Sequence, residues 1–511
     1  MNILLIYPRY PDTFWSFKHA LKFISKKAAY PPLGLLTVAS MLPTGWKKKL
    51  VDMNTDKLKD ADIAWADYVF LSAMAVQQQS AREVISRCNK ANVKIVAGGP
   101  LFATAHEQQD KFQGVDHFVM GEAEAVIANL VADLENGTAQ HIYTSDDRPD
   151  IRHSPGPDWS LIDTGKYATL SAQYSRGCPF NCDFCDIVLL NGHVPRTKDA
   201  RQLIAEMDTI YRLGWRNSVF IVDDNFIGNK KKLKAEILPA IISWMKERNY
   251  PFTLFTQVSI GISDDEDLMR LMTDAGFDRI FIGIETPNED SLGECGKHQN
   301  ANRDLVQSVK TLQNHGFEVQ GGFIVGFDSD PQNIFDRQIN FIQQSGIVTA
   351  MVGLLNAPPG TGLYNRLKKE KRLVGQTSGD NTDFSLNFVP KMGRESLVSG
   401  YQRIITAIYS PRQYYARVRT QLKEHRPVSH KRQGLKATHV RALLKSIWYL
   451  GIKEKGRRHY WRLFAATLFK RPSTFPRAIT LAIYGYHFRK LIETYTRGLP
   501  KAGAHHTKPY R

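Results

Sequence analysis

Gln173-Tyr-Ser-Arg-Gly-Cys178-Pro-Phe-Asn-Cys182-Asp-Phe-Cys185 decides how this chain is read. Three of its five cysteines fall within eight positions, spaced C-x₃-C-x₂-C. A disulfide framework uses an even set spread over a small secreted chain, and a structural zinc site uses four ligands. Three neighbouring thiolates suit a 4Fe–4S cluster instead. They hold three irons and leave the fourth open to a ligand that is not protein. On spacing alone an incomplete zinc site stays open, but the setting favours the cluster. A strand-like segment at 167–174 comes before, Phe184 stands just ahead of the last cysteine, and a helix-like segment with Leu203, Ile204, Met207 and Ile210 follows. The other two cysteines, Cys88 and Cys295, read as small buried apolar side chains.

The chain has 511 residues, room for about three domains, and its 42% apolar content is that of a globular protein. Met1-Asn-Ile-Leu-Leu-Ile-Tyr-Pro8 is a short apolar run ended by proline, so it reads as a buried strand rather than an export signal. No stretch reaches the roughly 18 uninterrupted apolar residues of a membrane span. A cytoplasmic location is the expectation. The net charge of +18 is unevenly placed: from Gly400 onward there are 25 Lys and Arg against Glu424, Glu454 and Glu493. The basic balance therefore belongs to the last segment and says nothing about the body.

Over 1–145, strand patterns at 3–7, 49–52, 68–72, 94–97 and 117–120 alternate with helical ones at 33–42, 80–89 and 123–134. Such alternation predicts an α/β doubly wound, Rossmann-like sheet, with ligands at the carboxyl ends of its strands. Ser72-Ala-Met74, Gly98-Gly99-Pro100 and Gly121-Glu-Ala-Glu124 stand at such ends. The missing side chains at Gly98 and Gly99 let a large flat or phosphate-bearing ligand approach the backbone. The aromatic loop Tyr10–His19 has two readings for Phe14 and Trp15: packing over a ligand, or capping a domain interface.

A linker rich in proline and charge occupies 146–165. Over 166–395, strands at 219–222, 253–257, 279–284, 319–325 and 350–355 alternate with helices at 230–246, 264–274, 302–314 and 334–344. With the cysteine-bearing unit they make about six β/α repeats, a partial (β/α)₆ barrel whose chemistry belongs at the strands' carboxyl ends. Asp223-Asp224-Asn225, Gly283-Ile-Glu285 and Gly321-Gly322-Phe-Ile-Val-Gly326-Phe-Asp-Ser-Asp330 fall there. The plain alternative for Asp223 and Asp224 is a helix N-cap with solvated acids.

This ordered set of motifs resembles the cobalamin-dependent radical S-adenosylmethionine methyltransferases, over roughly 1–410. The resemblance implies that Cys178, Cys182 and Cys185 carry the 4Fe–4S cluster and that S-adenosylmethionine chelates its open iron. Asp223 and Asp224 then balance the methionine ammonium, Glu285 takes the ribose hydroxyls, and Gly322 and Gly326 lie beside adenine. Ser72, Gly98 and Gly99 take the nucleotide tail of cobalamin. The D-x-H-x-x-G motif that ligates cobalt elsewhere is absent, and Asp116-His117 has the wrong spacing. A Rossmann-like domain that binds no corrinoid, or another nucleotide, stays open. The expected reaction is methyl transfer to an unactivated carbon of a lipid-like or other small molecule, with an electron donor such as flavodoxin or ferredoxin. The alternatives are a radical enzyme that uses cobalamin without methyl transfer, for rearrangement or ring contraction, and a tRNA-modifying enzyme.

The segment 396–511 reads as a basic, mostly helical domain whose Lys and Arg are interleaved with aromatics, with amphipathic patterns at 440–451 and 459–469. Three readings compete: peripheral contact with an anionic membrane, a helical domain packed on the barrel, and a nucleic-acid surface. His505-His506 reads as tail rather than metal site.

Overall fold

The computed structural model describes residues 1–103, 112–375, 377–427 and 436–497. The first sheet has six parallel strands: β1 (Asn2–Tyr7), β2 (Lys47–Asp52), β3 (Tyr68–Ser72), β4 (Lys94–Gly98), β5 (His117–Val119) and β6 (Ile142–Tyr143). Their order, β2-β1-β3-β4-β5-β6, reverses direction between β1 and β3. That reversal opens a crevice at the carboxyl ends of the two strands. The apolar runs that mark these strands are buried on both faces by two separate clusters, one around Leu4, Val69 and Ile95, the other around Ile3, Phe70 and Val96. Two-residue β6 is too short to show as a pattern in the sequence.

The second sheet holds β7 (Leu170–Ala172), β10 (Ser218–Ile221), β11 (Thr253–Gln257), β12 (Phe277–Glu285), β13 (Glu318–Val325) and β14 (Ala350–Leu354) in unbroken sequence order, all parallel. The edge strands β7 and β14 do not pair, so six β/α units make a partial barrel. Segment 27–29 runs parallel to 166–169 as an extra rung beside β7, through Lys27 N to Lys166 O (2.8 Å) and Ala168 N to Ala28 O (3.0 Å). A two-residue antiparallel ladder, β8 (Ser175–Arg176) with β9 (Arg196–Thr197), pinches off the loop that bears the cysteines.

The segment 146–165 carries three short 3-10 turns, each opened by an aspartate (Asp150, Asp158, Asp163) that accepts from the backbone two residues on. Beyond the barrel lie helices Arg394–Tyr409, Pro411–Glu424, Ala437–Ser446, Arg457–Lys470 and Phe475–Tyr495. Many of their aromatics are buried: Tyr414, Tyr415, Tyr460 and Phe488 belong to the same core as the barrel. Phe14 stacks on Phe488 at 4.3 Å and Phe17 packs on Tyr484 and His487, so these loop aromatics cap an interface. Trp15 reaches further, with Nε1 on Met351 Sδ (3.0 Å) and its ring edge-on to Phe281. No helix among the described residues is long and apolar enough to cross a membrane. His505 and His506 lie outside the described residues.

Candidate active site

The cysteine loop is held from every side. Cys178 N donates to Gly192 O, Asp183 N to Cys295 O, and Leu363 N to Asp183 O. Gly177 (φ +100°) sits where a Cβ would lie 2.9 Å from two carbonyl oxygens, and a Cβ at Gly296 would lie 2.9 Å from Asn181 O. Both positions require glycine. Among the described residues no three His, Cys, Asp or Glu stand close enough to hold one ion, as a zinc site would need. Thiolates that bind different irons of a cube stand farther apart than ligands of a single ion.

Burial pushes all three thiols up, Cys185 to about 12, and the ammonium of Lys297 works against that shift at each. Gln299 Nε2 also donates to Cys182 Sγ at 3.8 Å. Burial disfavours the Lys297 charge, but Glu285 and the thiols more than offset it and raise its pKa. Its Nζ lies 2.8 Å from Glu285 Oε1. Glu285 ends β12 in a left-handed conformation (φ +64°), past a register shift in the ladder to β13. A side chain at Gly283 would fall onto this ion pair, 2.9 Å from Lys297 Nζ.

Asp223 and Asp224 part company. Asp223 is fully buried; it accepts from Tyr174 N (2.8 Å) and Ser175 Oγ (2.6 Å), and burial raises it to about 7. Asp224 accepts from Gly177 N (3.2 Å) and Asn191 Nδ2 (2.9 Å). Neighbours at a strand end point to opposite faces, so the two carboxylates hold two sides of the cysteine loop. Gly322 faces Phe281: a Cβ there would lie 2.9 Å from the ring. Gly326 (φ +114°) closes on Leu397 of the helix Arg394–Tyr409, and its N–H donates to Asp330 (2.8 Å).

On the first sheet Ser72 and Gly98 are register partners, and Gly99 (φ +88°) turns away at once. A Cβ on Gly99 would lie 2.7 Å from Ser72 Oγ, while one on Gly121 would meet nothing within 4 Å. This bare edge, next to the reversal point, fits a large ligand laid on backbone. His117 lies at the opposite end of β5, bonded through Nδ1 to Gln140 O.

The two carboxyl edges meet. Glu122, just after β5, accepts from Arg176 (2.7 Å) and Arg196 (2.6 Å), the pair that forms one rung of the β8–β9 ladder, and Glu124 accepts from Arg176 (2.8 Å). Asp52 accepts from Tyr167 Oη at 2.8 Å, and Gly379 packs on Ala75 and Val76. The sequence marks Glu122 and Glu124 only as following a strand; their arginines lie more than fifty residues away.

Comparison with known proteins gives each region a counterpart. Residues 24–131 match the B12 binding domain, 173–341 the Radical SAM superfamily, and 361–500 a domain of unknown function. An uncharacterized methyltransferase of Synechocystis sp. is 39% identical, over 96% of this chain and 91% of its own length. The hopanoid C-2 methylase of Rhodopseudomonas palustris is 32% identical, over 90% of this chain and 88% of its own. The chain belongs to the cobalamin-dependent radical S-adenosylmethionine methyltransferase family. The fold agrees: the methyltransferase TsrM of Kitasatospora setae, solved with cobalamin and a 4Fe–4S cluster, superposes with a TM-score of 0.62 at 12% identity, covering 96% of this chain and 99% of that one. The cobalamin-dependent radical enzyme OxsB superposes with a TM-score of 0.61 at 14% identity, over 96% of this chain and 80% of that one. The cofactors of this family are a 4Fe–4S cluster, S-adenosylmethionine and cobalamin. The thiol loop beside a buried ammonium fits the first, and the bare Ser72–Gly99 edge fits the last.

Proposed function

We propose that this enzyme methylates an unactivated carbon of a lipid-like small molecule, with Cys178, Cys182 and Cys185 holding the cluster and Ser72, Gly98 and Gly99 receiving the cobalamin tail. One observation carries the reading: Glu122 and Glu124 tie the bare edge of the first sheet directly to the arginines that frame the cysteine loop. A cofactor on either edge then faces the other. The bound cofactors supply the radical and the methyl group; the protein supplies position, charge and exclusion of side reactions.

In this reading Lys297 lowers the cost of gathering three thiolates, and Glu285 holds the ammonium in place while its second oxygen serves the ribose. Asp223 and Asp224 anchor the cysteine loop, and their charges would balance the methionine ammonium. Gly322 and Gly326 let Phe281 and Leu397 close on the end of β13, the place this reading gives to adenine. A groove of about 730 Å³ lined by Pro179, Phe180, Asn181, His298 and Gln299 runs along the outer side of the loop. It is the approach we assign to an electron donor such as a flavodoxin or ferredoxin. The lipid-like substrate is supported by the 32% identity to hopanoid C-2 methylase. Peripheral contact with an anionic membrane is supported by exposed Trp448, Trp461 and Phe469 on the basic helices.

The test is iron and cobalt content of anaerobically purified protein from cobalamin-fed cells, then transfer of labelled methyl from S-adenosylmethionine to lipid extracts. About four irons and one cobalt per chain, with label in a lipid, support the reading. Iron without cobalt after reconstitution with hydroxocobalamin removes it.

A further inference from the structure

At the amino-terminal end of the barrel strands, away from the cysteines, lies a cavity of about 540 Å³. Its walls come from three regions. Helix Lys18–Ile24 gives Leu21 and Ile24; the barrel gives Phe255 and Arg279; the C-terminal helices give Ala442 and Ile479. The volume is that of a small-molecule site, and the walls are mostly hydrocarbon. Of the described lining residues Arg279 alone carries a fixed charge. That charge is already met: Nε donates to Asp278 (3.2 Å), Nη2 to Ser218 Oγ (2.7 Å), and the guanidinium lies over the Phe255 ring at 4.5 Å. Asp278 already neutralises the arginine, so an uncharged molecule fits better than an anionic headgroup.

The rim points to the source of that molecule. Val440 lines the cavity and is 50% exposed, and Leu444 and Trp448 continue outward from it at four-residue steps, 62% and 49% exposed. An apolar track from solvent to an apolar cavity is an entry path for hydrocarbon. We propose that this cavity binds the apolar body of an uncharged lipid, entering past Val440, and that this lipid is the methyl acceptor. The second clause rests on the function proposed above. Six residues of β12 separate Arg279 from Glu285, about 20 Å at strand spacing. An acceptor seated here must therefore be long enough to span the barrel axis.

The test uses the full chain and the neutral fluorescent rod diphenylhexatriene. Wild type should bind one probe per chain. Ala442→Phe and Ile479→Trp, which fill the cavity, should each weaken binding tenfold or more while the unfolding midpoint stays near that of wild type. The surface pair Leu444→Ser with Trp448→Ser should change affinity less than twofold. Unchanged binding in both filled variants, or loss in the surface pair alone, overturns the site. Should the filled variants not fold, photolabelling of wild type with an uncharged diazirine hydrocarbon decides: label in 18–24 and 475–495 supports the cavity, and label confined to 444–469 overturns it. Binding requires no turnover. Intact cavity binding without methyl transfer to any lipid would therefore remove the acceptor clause and leave the site.

Discussion

The chain contains two six-stranded parallel sheets, and it uses their carboxyl ends in different ways. The first sheet reverses its strand order and leaves its edge bare: Ser72, Gly98, Gly99 and Gly121 put little but backbone there. The second keeps strict strand order and crowds its edge with charge: Asp223, Asp224, Glu285, Lys297 and Asp330, with Asp223 and Glu285 buried. A bare edge admits a large ring and its nucleotide tail against backbone. A charged, strained edge pre-organises small ionic groups, whose burial costs little only when each charge has its partner in place. The contrast suits a corrinoid on one side and a cluster with S-adenosylmethionine on the other.

The largest effect should come from the crowded side. Cys182→Ala removes one of three thiolates, and two cannot replace it. Iron should fall well below about four per chain, and 5′-deoxyadenosine formation should drop by orders of magnitude. Retained formation in this variant would remove the cluster from the comparison altogether.

Next comes the seam between the edges. Glu122 is 8% exposed; its two nearest arginines, Arg176 and Arg196, are 14% and 16% exposed, and Arg148 lies farther off at 3.7 Å. Glu122→Ala leaves both guanidiniums without their shared carboxylate, a loss on the order of 3 kcal/mol. Chemical unfolding should show that loss, and cobalamin should be retained less well through gel filtration. If stability falls but cobalamin retention does not, the seam is structural only and the two edges work apart.

The bare side should be sensitive to a single methyl group. Gly99→Ala forces φ +88° on an alanine and sets its Cβ 2.7 Å from Ser72 Oγ. The cost should be about 1–3 kcal/mol, read as a lower unfolding midpoint, together with weaker cobalamin binding. Gly121→Ala shares the positive φ but meets no atom within 4 Å. It should lower the midpoint less.

The two edges also differ in how far the sequence discloses them. Except for β6, strands of both sheets show as short apolar runs, and their bounds differ from the pattern by up to three residues, because burial on both faces leaves little else to read. The cysteine spacing is legible because the cluster's chemistry is local. What escapes is what the fold brings together from afar. Lys297 lies in a loop twelve residues past Glu285, with no motif around it, and becomes a site residue only when β12 ends beside the cysteine loop. Asp223 and Asp224 look like a matched pair in text, yet alternation sends them to different partners. The aromatics interleaved with Lys and Arg in the tail fit a surface or a packed domain equally in text, and Tyr460 and Phe488 are buried because helix Phe475–Tyr495 packs among its neighbours. Only the remainder, Trp448 and Phe469 among them, keeps the exposed position that the pattern suggests.

The smallest effect separates charge that is needed from charge that is tolerated at the crowded edge. Asp330 accepts from Gly326 N, Phe327 N and Ser291 Oγ and so shapes the turn after β13, yet burial outweighs those bonds and raises it to about 6. A carboxyl raised above the ordinary carboxylate range favours the native state while protonated. That contribution is complete below pH 4 and is lost as pH rises through about 6. Asp330→Asn keeps an acceptor for the backbone amides and cannot ionise. Between pH 4 and 7 the unfolding free energy of wild type should fall relative to that of Asp330→Asn, measured by denaturant titration at several pH values. Parallel curves would mean that the turn holds its charge without strain, and the crowded edge would then be as well compensated at Asp330 as it is at Glu285 and Lys297.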